Sequence, residues 1–422
     1  MRAFDAIAHA RAAGRDRLHT IADVLAAAVV ASLPWSTSAT AILIVVWLIA
    51  LLPTFDSAAI RRELTIPAGG LPVALCALAA LGLLWAESNW AARLEGLGPY
   101  LKLLVIPLLL AQFRRSDRGW DVLATYLASV LVLLALSWTL RIWPQLSWRE
   151  PYPVTGVPFK DYIAQSTEFA IVAFALLILA GESASAGRRG LAALAVALAL
   201  TFFANLTFVV PSRTILVVIP VLLVVLSVSR TGWKGGLAVL VAGTLLAGIA
   251  WSTSPIIRDR VFAVGTDIEE YRAGQVVTSS GLRLAFWKRS IALIQQAPVL
   301  GLGTEGFTET FRRTATGSSG PESIVTGNPH NQIFAVAIQL GLVGTGLLFA
   351  MWIAHLLLFR GGGPAGLIGL VVVVQNIVSS LFNSHLSDFT QGWTYVFGVG
   401  ILGGLVLRGS RSPPGLAPVS PP

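Results

Sequence analysis

The feature that most constrains this chain is a succession of apolar stretches, each near the length that crosses a bilayer, separated by short arginine-bearing segments. A spanning helix needs about 17–25 mostly apolar residues, fewer when flanking turns contribute. Twelve stretches meet that description: 18–34, 38–53, 70–87, 96–113, 119–142, 161–181, 189–209, 211–229, 234–252, 331–359, 364–383 and 389–408. Only 12% of the 422 residues are charged and 55% are hydrophobic. A soluble domain carries about a quarter charged residues, and so few polar groups could not cover so apolar an interior. The expected fold is therefore all-α, a polytopic inner-membrane protein of about twelve transmembrane helices.

The positions of the cations test that reading. With the N-terminus inside, the inner segments hold Arg2, Arg11, Arg15, Arg17, Arg61, Arg62, Arg114, Arg115, Arg118, Arg188, Arg189, Arg230, Lys234, Arg360, Arg408 and Arg411. The short outer loops 35–37 and 384–388 hold no lysine or arginine. This is the positive-inside pattern, and it puts both termini in the cytoplasm. The net charge of +9 is thus distributed for topology. It forms no basic stripe with interleaved aromatics, so nucleic acid is not an expected partner. The N-terminal arginines followed by apolar residues 21–33 resemble a signal peptide, but the charged region is long and a second apolar segment follows at once. An uncleaved first span is expected. The lone cysteine, Cys76, lies in an apolar run and permits no intrachain disulfide.

One long segment breaks the alternation. The expected organisation is nine helices in 1–252, an extracytoplasmic loop at 253–330, three helices in 331–410 and a disordered tail at 411–422, which holds five prolines. Within the loop, Ser254-Pro255 reads as a helix cap followed by proline at the first helical position. Ile257, Val261, Val264, Ile268 and Tyr271 recur at helical spacing, which describes an amphipathic helix on the membrane face or under a partner. A second helix is expected from about Leu282 to Gln296, stopped by Pro298.

Several residues at the outer face could carry chemistry. In Asn328-Pro329-His330-Asn331, Asn328 suits a cap and Pro329 the first helical position, which places His330 in the first turn of a membrane helix. A helix N-terminus disfavours an imidazolium, so His330 is expected to be neutral and able to accept a proton. The alternative is an ordinary interfacial histidine. Arg213 follows Pro211-Ser212 in a tight outer turn and must either snorkel or meet an anion. Arg283 opens the second loop helix, where a solvated charge is the ordinary reading. Asp388 shares the last outer turn with His385, and Asp161 after Lys160 reads equally well as a cap. Gly301-Leu302-Gly303-Thr304-Glu305-Gly306 matches a dinucleotide fingerprint, but its flanks are helical and a flexible turn is expected instead. The five histidines are scattered and no HExxH or paired cysteines occur, so neither a metal nor a cofactor is expected. The first outer loop, Trp35 to Thr37, has no acidic pair of the kind metal-dependent oligosaccharyltransferases use.

The order Arg213, then Arg283 leading a helix that ends in Ala297-Pro298-Val299-Leu300-Gly301-Leu302-Gly303, then Asn328-Pro329-His330-Asn331-Gln332 and Gln339-Leu340-Gly341-Leu342-Val343-Gly344, resembles the O-antigen ligase family. The motif-level likeness covers about residues 211–345. It implies transfer of O-antigen from undecaprenyl diphosphate to a lipid A–core sugar at the periplasmic face, without metal or ATP and with inversion at the anomeric carbon. By position it makes Arg213 and Arg283 the binders of the donor diphosphate and His330 the general base, with Asp388 as a further substrate-binding residue. O-antigen polymerases and bacterial protein O-oligosaccharyltransferases share much of the pattern. A carrier-lipid flippase is the competing transporter class, although transporters place their sites near the membrane midplane rather than at one face.

Overall fold

The computed structural model describes residues 2–148, 155–272, 279–315 and 323–410. The expected disordered tail, 411–422, lies outside the described residues. Sixteen α-helices follow one another in the described parts: α1 (Arg2–Ser32), α2 (Thr37–Leu51), α3 (Ser57–Thr65), α4 (Pro67–Gly82), α5 (Trp90–Leu101), α6 (Val105–Arg115), α7 (Gly119–Ile142), α8 (Tyr162–Ser185), α9 (Arg189–Phe208), α10 (Arg213–Thr253), α11 (Pro255–Arg272), α12 (Ser279–Gln296), α13 (Phe307–Ala315), α14 (Gln332–Leu358), α15 (Gly363–Ser379) and α16 (Phe389–Gly409).

Among the described residues, eight helical stretches are long and apolar enough to cross a membrane, or nine if the α3–α4 pair, bent by 90°, is one span. The expectation is twelve; the expected span 18–34 falls in the second half of α1, which is not among the eight, and the other differences have local causes. The pair α3 and α4 turns at Ile66-Pro67, where proline cannot continue the α3 hydrogen-bond ladder. The helix α15 has only 17 residues. The 41 residues of α10 pass as one helix although Gly232, at φ 73°, interrupts them between the two expected spans 211–229 and 234–252. The protein is an all-α, multi-pass membrane protein.

The helix α8 lies at the centre and is buried along most of its length, packed between α9 and α15. The pairs α6–α16, α1–α2 and α4–α14 close the bundle around it. By contrast, Val45 and Ile49 of α2 and Leu245, Leu246 and Ile249 of α10 are exposed, which costs nothing when lipid is the solvent. At the arginine-rich end, the buried Glu63 of α3 takes an ion pair from Arg114 of α6 at 3.1 Å. Deep charges persist only when paired in this way.

The long segment after α10 is helical, as expected, and holds a third helix, α13, that its sequence pattern did not announce. The helix α11 begins at Pro255, while the Ser254 hydroxyl bonds the Thr207 carbonyl at 3.3 Å. Of the apolar series expected along it, Val261 is exposed; the side chains of Ile257, Val264, Ile268 and Tyr271 lie outside the described residues. The helix α12 starts three residues before the expected Leu282 and ends at Gln296. A small second core of Phe286, Leu293, Phe311 and Ile338 docks α12 and α13 onto α14.

The Gly301–Gly306 segment is a clamp rather than a flexible turn. At Gly341, with φ 59°, α14 is broken, so the helical bonds from 342 to 338 and from 343 to 339 are lost. The loop supplies both halves of each. The amides of Leu342 and Val343 donate to the carbonyls of Pro298 and Val299, at 2.8 and 3.2 Å, and those of Leu302 and Gly303 donate to Ile338 and Gln339, at 2.8 and 3.0 Å. Broken backbone inside a membrane protein is tolerated where it is repaired in this manner. Gly301 sits at φ 71°, and a Cβ there would lie 2.4 Å from the Gln339 carbonyl carbon. Left-handed backbone costs about 1–2 kcal/mol for a residue with Cβ, and the clash falls on backbone that cannot swing away. Gly301→Ala should therefore lower the melting temperature in detergent by several degrees, and an unchanged melt would mean that the clamp does not hold α14.

Candidate functional site

The site is built from the turn before α14. Asn328, expected to cap the helix, does not. Its Oδ1 accepts the amide of His330 at 2.8 Å, closing a local turn. The cap is Asn331, whose Oδ1 accepts the amides of Ile333 and Phe334 at 2.9 and 3.1 Å. His330 therefore stands outside the helix instead of in its first turn. It has φ 54°, and among the described residues it is the one non-glycine with a positive φ. Such a conformation costs about 1–3 kcal/mol and persists where surroundings over-determine it. Here the Trp287 indole donates to the His330 carbonyl at 3.3 Å, and the imidazole stacks on Phe286 at 5.9 Å between centroids with 18° between planes.

The same turn is sewn to the one before α16. The amide of Gln332 donates to the Ser380 carbonyl at 2.9 Å, and Gln332 Oε1 accepts the Leu386 amide at 2.9 Å. This stitching brings His330 Nδ1 to 3.0 Å from Asn383 Oδ1. The Oδ1 also accepts Asn328 Nδ2 at 2.9 Å. On its other side, Asn383 Nδ2 donates to Asp388 Oδ2 at 2.7 Å, and His385 Nδ1 is 3.0 Å from the same oxygen. Lys102 meets the Asp388 backbone carbonyl at 2.9 Å. The Asp388 carboxylate, expected to contact substrate, meets Asn383 and His385 through Oδ2 and is partly exposed. His330 is half-buried, and its Nε2 has no hydrogen bond among the described residues. Burial, then the positive charge of Arg283, hold the His330 imidazole below its usual pKa, against the opposing pull of Asn383 and Asp388. The neutrality expected from a helix N-terminus has this different cause.

The cations come from two other elements. Arg213 is the first residue of α10, after Ser212, whose Oγ accepts the Ile215 amide at 3.2 Å. Its guanidinium pairs with Asp267 of α11 at 3.1 Å and bonds the Ser280 hydroxyl at the start of α12. Burial alone would raise the Asp267 carboxyl, but hydrogen bonds from Ser280 and Arg213 hold it below the usual range. Arg283 follows three residues after Ser280. It is half-buried, and no side-chain hydrogen bond or ion pair of it occurs among the described residues. Burial first, then the like charge of Arg213, lower its pKa, with Tyr162 and Asp267 opposing. Two guanidiniums and one carboxylate therefore share this corner, leaving a net positive charge beside a neutral imidazole.

The structure brings Arg283 within electrostatic reach of both Arg213 and His330, and links Asp388 to His330 through Asn383. Asp161 is the cap of α8, accepting Ile163 and Ala164 amides at 2.8 and 2.9 Å. Asn383 and Asp267 were not singled out in the sequence. Asparagine in an outer turn and aspartate on a polar helix face are commonplace there, and neither carries a local signal. Beside Asn383 and Asp388 opens a cleft of about 440 Å³, lined by both polar and apolar residues, among them Lys160, Asp161, Ile163, Phe389 and Gln391.

Residues 195–349 match the family described as O-antigen ligase. The matched stretch carries Arg213, Arg283 and His330, and ends before Asn383 and Asp388. No curated protein matches the chain.

Proposed function

Over residues 195–349 the chain is a member of the O-antigen ligase family, and from that premise we propose that it is a glycosyltransferase of the inner membrane. It moves O-antigen polysaccharide from undecaprenyl diphosphate to a lipid A–core sugar at the periplasmic face, without metal or ATP. In this reading the chain crosses the membrane twelve times, with 1–252 and 331–410 as the spanning parts, 253–330 as a periplasmic loop and both termini in the cytoplasm.

The observation that carries the proposal is the juxtaposition of the half-buried Arg283 with Arg213 on one side and, on the other, His330 Nε2, which has no hydrogen bond among the described residues. A diphosphate needs cations that are desolvated and not already spent. Arg283 has no side-chain partner among the described residues, and Arg213, held by Asp267 and Ser280, adds its positive charge beside it. The acceptor hydroxyl attacks the anomeric carbon and gives its proton to His330 Nε2. The bond from that carbon to the diphosphate oxygen breaks, its electron pair leaves with undecaprenyl diphosphate, and the arginines stabilise the growing charge. Attack opposite the leaving group inverts the anomeric centre.

Two measurements test this reading. Reporter fusions ending at Gly187 and Gly362 should report the cytoplasm and one ending at Gly317 the periplasm; a cytoplasmic Gly317 would put the site on the wrong side. Purified protein given carrier-linked glycan and lipid A–core should join the two. Lengthening of the carrier-linked glycan with lipid A–core ignored would make the protein a polymerase instead.

A further inference from the structure

The geometry points to Asn383 as a positioning residue that sets which nitrogen of His330 is free to take a proton, with Asp388 setting the orientation of Asn383. The inference rests on His330 being the base of the transfer proposed above. It follows from donor and acceptor inventories alone. The Asp388 carboxylate accepts hydrogen bonds and does not give them, so the group of Asn383 that faces it, at 2.7 Å, is the NH₂. The carbonyl Oδ1 is then the group turned to His330 and Asn328, and Asn328 Nδ2 satisfies it as a donor at 2.9 Å. An amide oxygen 3.0 Å from Nδ1 requires that Nδ1 carry the proton. The lone pair of the neutral ring is left on Nε2, the nitrogen with no partner among the described residues.

Without this relay the neutral ring has two tautomers, and one of them presents an N–H where the acceptor proton must go. The backbone of His330 is already fixed, by its left-handed φ, by Asn328 and by stacking on Phe286. What the relay adds is the choice of tautomer. The charged and titratable groups facing the ring are Arg283 from α12 and Asp388 before α16. His385 lies beyond Asp388 on the same turn, and Lys102 reaches that turn through the Asp388 carbonyl.

The test compares the purified full chain with Asn383→Leu, with the double replacement Asn383→Asp and Asp388→Asn, and with His330→Ala. Turnover of undecaprenyl-diphosphate glycan onto lipid A–core is followed over about pH 5–8, where histidine titrates. Asn383→Leu should lower kcat about 10–100-fold with little change in KM, a part of the roughly 10²–10⁴-fold that a positioned base supplies. It should also move the acid limb of the profile to lower pH, because a hydrogen bond that favours the imidazolium is gone. The double replacement keeps the chain of hydrogen bonds but sets a carboxylate against Nδ1. It should retain most of the rate and move the acid limb to higher pH. Opposite shifts are not the signature of a merely structural residue. If the leucine variant fails to accumulate, the direction of shift in the double variant decides. Wild-type acid limbs in the Asn383 variants, with His330→Ala inactive, would overturn the relay. An active His330→Ala would instead overturn the reading on which it rests.

Discussion

Replacing His330 with alanine is expected to slow glycan transfer by about 10²–10⁴-fold while binding of the carrier-linked donor persists. The size follows from what a positioned general base contributes. The persistence of binding follows from the proposed division of labour, in which Arg283 and Arg213 meet the anion and the imidazole does not. Donor affinity and turnover measured on the same purified sample separate the two effects. Because the His330 pKa lies below its usual value, through burial and the charge of Arg283, the wild-type enzyme should hold its rate across neutral pH. It should lose activity only as acid protonates the ring. Turnover that instead falls as pH rises toward 8 would be inconsistent with a neutral base.

The second large effect concerns the two arginines, which are not equivalent. Arg283→Ala removes a guanidinium with no partner among the described residues. The expected loss in kcat/KM is that of a charge-assisted contact, about 1.5–3 kcal/mol or about 10- to 150-fold. Arg213 is already shared with Asp267 and Ser280, so part of its charge is neutralised. Arg213→Ala should cost less in donor use. It also leaves Asp267 without its cation beside Arg283, and Arg213→Ala combined with Asp267→Asn should recover some of the loss. Lysine at 283 should restore only part, since an ammonium cannot reproduce the planar fork. A larger defect from Arg213→Ala than from Arg283→Ala would reverse this ranking.

Much of the architecture was legible because the bilayer imposes a simple grammar of apolar stretches and basic ends. The break in α10 near Arg230 and Lys234 follows from it, while the end of α12 at Gln296 follows from the proline two residues beyond. The 90° bend between α3 and α4 and the break in α14 at Gly341 do not. Both depend on distant partners: the Pro298–Gly303 segment repairs α14 from some forty residues away, and no periodicity records that pairing. The site shows the same division. Arg213 and His330 stand at helix boundaries, where an unusual polar residue is conspicuous. The cap was misassigned because Asn328 and Asn331 are equally good on composition, and only the left-handed turn at His330 decides between them. Asn383 and Asp267 reach His330 and Arg213 across more than fifty residues. Their meaning lies in what they touch.

The most direct measurement of the central claim is the stoichiometry of transfer by purified protein in EDTA without nucleotide, with released undecaprenyl diphosphate counted against joined product. One carrier diphosphate should be released for each glycan joined to lipid A–core, at a rate EDTA does not change and with an inverted linkage. A rate that collapses in EDTA and returns with a divalent cation would contradict it. So would movement of the intact donor across a vesicle membrane with no new glycosidic bond.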